Sequence, residues 1–239
     1  DFTQEYKAKV VDYMIREYAL GRTPNPDVMC NREIKFGLFF DKALEQGADF
    51  IATGHYARVV TRDKRQETSE NQTMSLLRAC YLEKDQSYFL WTLTQKQLAK
   101  CLFPIGEIES KTEVRRLAAE HGLPVADKKD SQGVCFMGPV DVGEFIKPYV
   151  RQTVGAIVTT AGEKIGTHAG LDFYTIGQRK GIGVGGTGPY YVTRKDYKSN
   201  TLVVAPAGDQ SALESRSLVA SEVSFIGVEP EGEIQIQAA

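Results

Sequence analysis

The chain has 239 residues, of which 42% are hydrophobic and 25% are charged, and its formal net charge is −2. This composition is typical of an ordinary globular protein, and the length predicts two or three domains. The near-neutral charge excludes a uniformly basic nucleic-acid-binding protein, so any such contact must come from local patches. No apolar run reaches about 18 residues, so we expect no membrane-spanning helix.

The first third of the chain alternates helical and strand patterns. Apolar spacing predicts helices over residues 3–20 and 32–47, each followed or closed by a glycine. Residues 48–60 read as a buried strand that enters a glycine turn, and residues 74–82 read as another strand. The polar segment between them, residues 61–72, is predicted to be a solvated loop or hairpin tip.

The middle of the chain is predicted to be helical. Two short helices are expected within 85–93 and 94–103, with the aromatic residues of the first in the core, and a longer helix over 110–124. Sequence spacing predicts capping boxes that pair Thr94 with Gln97 and Ser110 with Glu113.

After Gly138 the pattern becomes mostly β. One short helix over 143–150 precedes two predicted hairpins, 156–170 and 190–206. Segments with a strand-like sequence follow at residues 217–228 and 233–239. The last third is therefore expected to form small barrel-like modules.

Four cysteines and three histidines limit the chemistry. No CxxC pair occurs and the first residues are polar, so we expect a cytosolic protein with reduced thiols and no bound metal centre. The bland reading of any one cysteine is a small buried apolar residue.

The segment NPDVMC places Asp27 three residues before Cys30 in a loop stiffened by Pro24 and Pro26. A carboxylate raises the pKa of a nearby thiol, so it would not make Cys30 a better thiolate. Asp27 makes more sense as an acid or base acting on a substrate. The alternative is that Asp27 caps a helix starting near Val28, and both can be true.

Cys135 follows a polar turn, DSQGVC. A loop cysteine is more readily exposed for redox or nucleophilic chemistry than a core cysteine. The alternative is a linker in which Cys135 packs beneath Phe136. Cys30 and Cys135 could exchange a disulfide if they meet in space, which spacing alone does not establish.

Three further motifs could bind a nucleotide or RNA. Gly54 ends a predicted strand, where α/β sheets bind ligands, and His55 follows it. Polar residues precede aromatic ones in EKDQSYFLW, and GQRKG carries two cations on a glycine loop. The bland alternatives are a tight turn at Gly54, an internally satisfied His55, a helix cap at Asp85 and a solvated turn. The residues concerned are Gly54, His55, Lys84, Asp85, Gln86, Arg179 and Lys180.

Taken together, the motifs resemble those of the bacterial-type tRNA-specific 2-thiouridylases. The matching stretches are NPDVMCNREIKF, GADFIATGHYAR, LLRACYLEKDQSYFLWTL, LFPIGEIESKTEVRRLA, KKDSQGVCF and YTIGQRKGIGVGG, in the family's order. The resemblance covers about residues 21–205.

The resemblance implies a fold and a domain plan. The expected fold class is α/β, like the adenine nucleotide alpha hydrolases with a partial parallel sheet, followed by a small mostly-β central domain and a truncated β-barrel. The expected boundaries are 1–138 for the catalytic part, 139–187 for the central domain and 188–239 for the start of the barrel. The family's SGGxDS phosphate loop does not occur, so the chain is expected to be an internal fragment that is inactive alone.

The resemblance also implies a reaction. ATP, with Mg²⁺, would adenylate the wobble uridine of a tRNA, and a persulfide would replace the AMP with sulfur. Cys135 would carry the persulfide, Cys30 would form a transient disulfide with it, and Asp27 would be the acid or base. Asn25, Pro26 and Asp27 would hold the target base and Gly54 would contact ATP. The tRNA contacts would be His55, Lys84, Asp85, Gln86, Arg179 and Lys180.

The expected partners are tRNA and a persulfide-donating sulfur-relay protein, with no membrane, and the chain is expected to be a monomer in the cytoplasm. Two other functions stay open. One is another sulfur or amide transferase of the same ATP-pyrophosphatase superfamily. The other is a non-catalytic tRNA-binding fragment.

Overall fold

A computed structural model describes residues 1–62, 73–128, 135–136, 138, 141–185 and 188–236. The chain forms two compact units. Unit 1 takes its described residues from Asp1–Tyr6, Asp27–Ser131 and Glu222–Ala239, and unit 2 takes its residues from Lys7–Pro26 and Gln132–Ser221. Among the described helices, none is long and apolar enough to cross a membrane.

The two predicted N-terminal helices are confirmed. The first combines α1 (Thr3–Tyr6), a π-helical stretch (Lys7–Val11) and α2 (Asp12–Ala19), and Gly21 follows it with φ of 74°. The second combines α3 (Pro26–Met29), a π-helical stretch (Cys30–Phe39) and α4 (Phe40–Glu45). It begins six residues before the predicted start because Pro26, whose fixed φ suits a first helical turn, starts it.

Unit 1 holds a small parallel pair and an antiparallel hairpin. Strand β1 (Ile51–Ala52) pairs in parallel with β4 (Cys101–Leu102), and β2 (Ala57–Arg62) pairs antiparallel with β3 (Thr73–Arg78). The prediction of helix through Cys101 was wrong. Helix α5 (Gln95–Leu98) ends earlier because Cys101, which is buried, pairs with Ile51 instead.

The core of unit 1 lies between these strands and the second long helix. Its largest fully buried members are Phe36, Phe40, Leu90, Leu93 and Leu98. Short 3₁₀ turns (Leu82–Lys84 and Ser87–Phe89) precede α5.

The capping predictions are confirmed at α5 and half confirmed at α6 (Lys111–Glu120). The Thr94 side chain accepts from the Gln97 backbone and the Gln97 side chain accepts from the Thr94 backbone. Ser110 caps α6 by accepting from the Glu113 N–H at 3.2 Å. The Glu113 carboxylate binds Arg116 instead of reaching back, because an (i, i+3) cation is within its reach.

Unit 2 is built on one four-stranded sheet. Helix α7 (Val142–Ile146) continues as a 3₁₀ turn (Lys147–Tyr149) before the first strand. The strand order is β6-β5-β8-β7, with β5 and β8 parallel. The strands are β5 (Gly155–Thr159), β6 (Lys164–His168), β7 (Tyr190–Asp196) and β8 (Thr201–Pro206).

This sheet confirms both predicted hairpins and joins them. It takes strands from both sides of the predicted boundary at residues 187 and 188. The sheet core contains Ile157, Val192, Leu202 and Val204, all fully buried. Within the described residues the sheet is open, and 3₁₀ turns lie at Leu171–Phe173 and Gln210–Ala212.

The strand predicted over 217–228 was wrong, and residues 233–236 contain no strand either. A strand needs a neighbour for its backbone hydrogen bonds, and the described residues supply none for this segment. Most of its apolar side chains are exposed, fully so at Val219 and 94% so at Val228, whereas Ile226 packs against the core of unit 1.

Candidate functional site

The Asp27–Cys30 pair lies on the first turns of the second long helix. Because Pro26 begins this helix, Asp27 lies inside its first turn and is not the residue that caps it. A carboxylate there is favoured by the helix dipole. The three-residue spacing places Asp27 and Cys30 on one side of the helix, Asp27 half-buried and Cys30 completely buried. Asn25 is exposed just before the helix.

Asn31 extends this site and was missed by the sequence reasoning. It is 2% exposed, and its Nδ2 donates a hydrogen bond to the Phe89 carbonyl at 3.2 Å. Its Oδ1 is buried and has no hydrogen-bond partner among the described residues. The only sequence signal was a polar residue one step after Cys30 in an otherwise apolar helical turn. Asn31 therefore ties the Cys30 helix to the 3₁₀ turn at Ser87–Phe89.

The aromatic side chains on that turn are more exposed than predicted. Tyr88 is 59% exposed and Trp91 is 42% exposed, and the core takes Leu90 and Leu93 instead. The rings of Tyr88 and Phe89 lie 4.0 Å apart. Burial raises the pKa of Tyr88, and the negative charges of Asp27 and Asp85 raise it further. Tyr88 thus presents an aromatic surface near Asp27.

Lys84, Asp85 and Gln86 have different surroundings. Lys84 is exposed. The Asp85 carboxylate accepts hydrogen bonds from the Ala79 N–H at 2.8 Å and the Ser87 hydroxyl at 2.8 Å, and it lies 3.5 Å from the Arg78 guanidinium. The Asp85 carboxylate therefore stabilises the turn through hydrogen bonds to a residue of the turn and to the residue that directly follows strand β3.

Gln86 is joined to the residue that follows His55. Its Oε1 accepts from the Tyr56 N–H at 3.0 Å, and its own N–H donates to the Tyr56 carbonyl at 2.8 Å. The structure thus brings Gln86 beside the His55 loop, although 30 residues separate them along the chain.

Gly54 and His55 follow the carboxyl end of β1. Gly54 is exposed, and a side chain there would meet nothing within 4 Å, so its surroundings are open to a ligand. His55 is 8% exposed, with Nδ1 2.8 Å from the Thr53 hydroxyl and its ring against Phe36 and Phe103. Burial lowers the pKa of His55 to about 4, helped by the charge of Lys35. The ring is therefore neutral at pH 7.

The remaining predicted site residues belong to unit 2. Cys135 is partly exposed, and Phe136 beside it is 73% exposed with φ of 64°. The turn predicted at Asp130, Ser131 and Gly133 lies outside the described residues. Arg179 and Lys180 are both exposed, and the Arg179 guanidinium lies 6.0 Å from the centre of the Tyr191 ring.

Comparison with protein families shows which family the chain belongs to. Residues 1–139 match the family described as the tRNA methyl transferase HUP domain, and residues 143–206 match the tRNA methyl transferase PRC-barrel domain. The chain belongs to this family. The α/β fold followed by a β-rich part is thereby confirmed, as is the resemblance to the tRNA-specific 2-thiouridylases.

Several proteins similar to this chain are named tRNA-specific 2-thiouridylase MnmA. The chain is 50% identical over 226 residues to the tRNA-specific 2-thiouridylase MnmA of Neisseria gonorrhoeae, covering 94% of the chain and 59% of the relative. It is 51% identical over 235 residues to that of Burkholderia thailandensis, covering 96% and 58%. For Staphylococcus saprophyticus the identity is 50% over 227 residues, covering 95% and 59%. The chain thus spans under two thirds of these relatives' length.

Proposed function

We propose that this chain supplies the sulfur-transfer residues of a cytoplasmic enzyme that thiolates the wobble uridine of tRNA at C2. Membership of the family and the names of its relatives support a tRNA-modifying transferase. The observation that carries the proposal is that Asp27 and Cys30 lie on one side of the same helix, with the exposed ring of Tyr88 near Asp27.

The chemistry needs an activated oxygen and a strong sulfur nucleophile. The C2 oxygen would attack the α-phosphate of ATP as the bond to the β-phosphate breaks and pyrophosphate leaves, so that the oxygen, now carrying AMP, becomes a leaving group. The terminal sulfur of a Cys135 persulfide would form a bond to C2 as the C2–O bond to AMP breaks. The Cys30 thiolate would then attack the Cys135 sulfur, so that the electron pair of the broken S–S bond stays on the base as 2-thiouridine.

The two cysteines would end this step as a disulfide, which an external thiol must reduce before the next turnover. The persulfide sulfur would come from a sulfur-relay protein. Asp27 would take and return the uridine ring proton, and Asn25 and Pro26 would help to hold the base.

Gly54 fits a nucleotide contact, because the space around it is open at the carboxyl end of a parallel strand. We assign it a contact to ATP, with Mg²⁺ accompanying the nucleotide. Lys84, Arg179 and Lys180 are exposed cations suited to tRNA phosphates. His55 would contact tRNA as a neutral hydrogen-bonding group, and Asp85 and Gln86 would shape the turn that does so.

The test is a thiolation assay in a protein completed to the length of the relatives. With tRNA, ATP and a persulfide donor, mass spectrometry of digested nucleosides should find 2-thiouridine. Cys30→Ser and Cys135→Ser should each abolish it, whereas the matched control Cys80→Ser should not.

Two results would contradict the proposal. Another modified nucleoside would indicate a different transferase of the same superfamily. Bound tRNA without any modification under these conditions would indicate a non-catalytic tRNA-binding protein.

A further inference from the structure

Unit 2 contains a small pocket that none of the roles above uses. Its volume is about 140 Å³. That is below the roughly 300–1,000 Å³ of pockets that enclose a drug-sized ligand, so it suits one ring system of a larger ligand. The lining residues are Arg151, Thr153, Leu171, Asp172, Tyr197 and Asn200.

Asp172 is a buried carboxylate with unused hydrogen-bonding capacity. It is 4% exposed, and its Oδ1 accepts a hydrogen bond from the Tyr197 hydroxyl at 2.8 Å. Its Oδ2 has no hydrogen-bond partner within the part of the chain that the structure describes. Because Asp172 lines the pocket, this oxygen is available to accept a hydrogen bond from a ligand or from water.

Neighbouring residues hold the Asp172 side chain in place. The Lys195 ammonium donates to the Gly21 carbonyl at 2.6 Å and to the Tyr174 carbonyl at 3.0 Å, and its charge interacts with Asp172. Any side chain at Gly21 would collide with the Tyr197 hydroxyl. Gly21 and Asp172 are therefore both in close contact with the Tyr197 hydroxyl.

Asn200 adds a second acceptor. Its Nδ2 donates to the Val154 carbonyl at 2.9 Å and to the Thr153 carbonyl at 3.3 Å, which fixes the carboxamide. Its Oδ1 accepts no hydrogen bond from the described residues. The pocket lining thus includes two side-chain oxygens that accept no hydrogen bond from the described residues.

Arg151 provides a cation at the same pocket. Its side chain is exposed, and it makes no hydrogen bond or ion pair with the described residues. A guanidinium in this position suits a phosphate oxygen.

Base chemistry selects among the possible ring systems. Guanine carries two adjacent donors, N1–H and N2–H₂, on its Watson–Crick edge. Adenine and cytosine place an acceptor nitrogen beside their amino group, and uracil flanks its one donor with two carbonyls. Two acceptors therefore favour guanine.

We propose that this pocket binds a guanine base through Asp172 and Asn200 and its phosphate through Arg151. The pocket has room for one base only, so a base of an RNA must be unstacked and unpaired to enter it. We therefore assign the base to a single-stranded guanosine of the RNA substrate. The RNA source rests on the proposed function, whereas the guanine preference does not.

The first experiment titrates the 239-residue chain with GMP, AMP, UMP and XMP by ligand-observed NMR. GMP should bind at least about tenfold more tightly than AMP or UMP. Asp172→Asn should reverse this preference. It should weaken the binding of GMP about tenfold and strengthen the binding of XMP, because the new amide N–H can donate to the xanthine C2 carbonyl. A merely structural role of Asp172 would not produce that gain.

A second variant covers the case in which Asp172→Asn does not fold. Arg151→Gln changes an exposed residue and should erase the advantage of GMP over guanosine while keeping guanosine ahead of adenosine. Equal binding of GMP and AMP, no binding of GMP, or no gain of XMP by folded Asp172→Asn would overturn the proposal.

The source of the base is decided with labelled pentanucleotides. UUGUU should bind more tightly than UUUUU and UUAUU in fluorescence anisotropy, and Asp172→Asn should remove the difference. A preference for GMP without one for UUGUU would assign the site to a free guanine nucleotide. Neither readout involves thiolation, so a failed thiolation assay and a failed guanine site are told apart.

Discussion

At the scale of single residues, His55 shows how burial sets a protonation state. Desolvation and the nearby Lys35 charge hold its pKa at about 4, against an ordinary 6.5. The folded chain therefore binds no proton at His55 between these pH values, whereas the unfolded chain does. The stability that the neutral ring contributes is complete above about pH 6.5 and is lost as the pH falls towards 4.

We therefore expect His55→Gln to reduce the acid sensitivity of the fold. Between pH 7 and pH 5 the urea-unfolding free energy of the wild-type chain should fall by up to about 2 kcal/mol more than that of the variant. His121→Gln, at an exposed histidine, is the matched control and should keep the full decrease. An equal decrease in the wild-type chain and His55→Gln would contradict the assignment.

The cysteines should differ in reactivity because their environments differ. Cys30 and Cys101 are buried, and burial raises the pKa of Cys101 to about 12. The Cys80 thiol donates to the Glu107 carboxylate at 3.3 Å, which raises its pKa. Cys135 is partly exposed.

Iodoacetamide at pH 7.5, followed by peptide mass spectrometry, should therefore modify Cys135 first, Cys80 more slowly, and Cys30 and Cys101 last. Glu107→Gln should accelerate Cys80 alone. Sulfur transfer requires Cys30 to reach another sulfur, so in the completed protein we expect tRNA to accelerate Cys30 modification. Fast labelling of Cys30 without tRNA would show that the burial described here does not protect it.

At the scale of elements, the turn around Asp85 is held from within. Replacing Asp85 by Ala removes the acceptor of the Ala79 N–H and of the Ser87 hydroxyl. We expect Asp85→Ala to lower the urea-unfolding free energy by about 1–3 kcal/mol. Lys84→Gln, at the exposed neighbour, should change it by less than about 0.5 kcal/mol. If Asp85→Ala were as stable as the wild-type chain, the structural role of Asp85 would be wrong, and Asp85 would again be expected to contact tRNA.

At the scale of the whole molecule, the net charge of −2 makes local cations decisive for RNA affinity. If Lys84, Arg179 and Lys180 contact phosphates, each replacement by Gln should flatten the logarithmic salt dependence of tRNA binding by roughly one unit of slope. Lys42→Gln is the control, because Lys42 is exposed and paired with Glu45. A slope identical to that of the wild-type protein would remove the replaced residue from the interface.

The pattern-based predictions succeeded where local forces decide the structure. The long helices, the Thr94 cap and both hairpins of unit 2 follow from apolar spacing and turn residues, which act over a few positions. Predictions failed where pairing across the chain decides. Cys101 pairs with Ile51 instead of extending a helix, and 217–228 lacks a partner strand despite its strand-like composition.

The candidate site divides in the same way. Motif order was sufficient to identify the family and to nominate Asp27, Cys30 and Cys135, because chemistry-bearing residues stay in short contiguous segments. Burial of His55 and Cys30, the bond from Asn31 to Phe89, and the open oxygen of Asp172 beside Tyr197 depend on residues distant in sequence. Only folding brings such groups within hydrogen-bond distance and removes water from them, so the tertiary structure alone decides their partners and the protonation of His55.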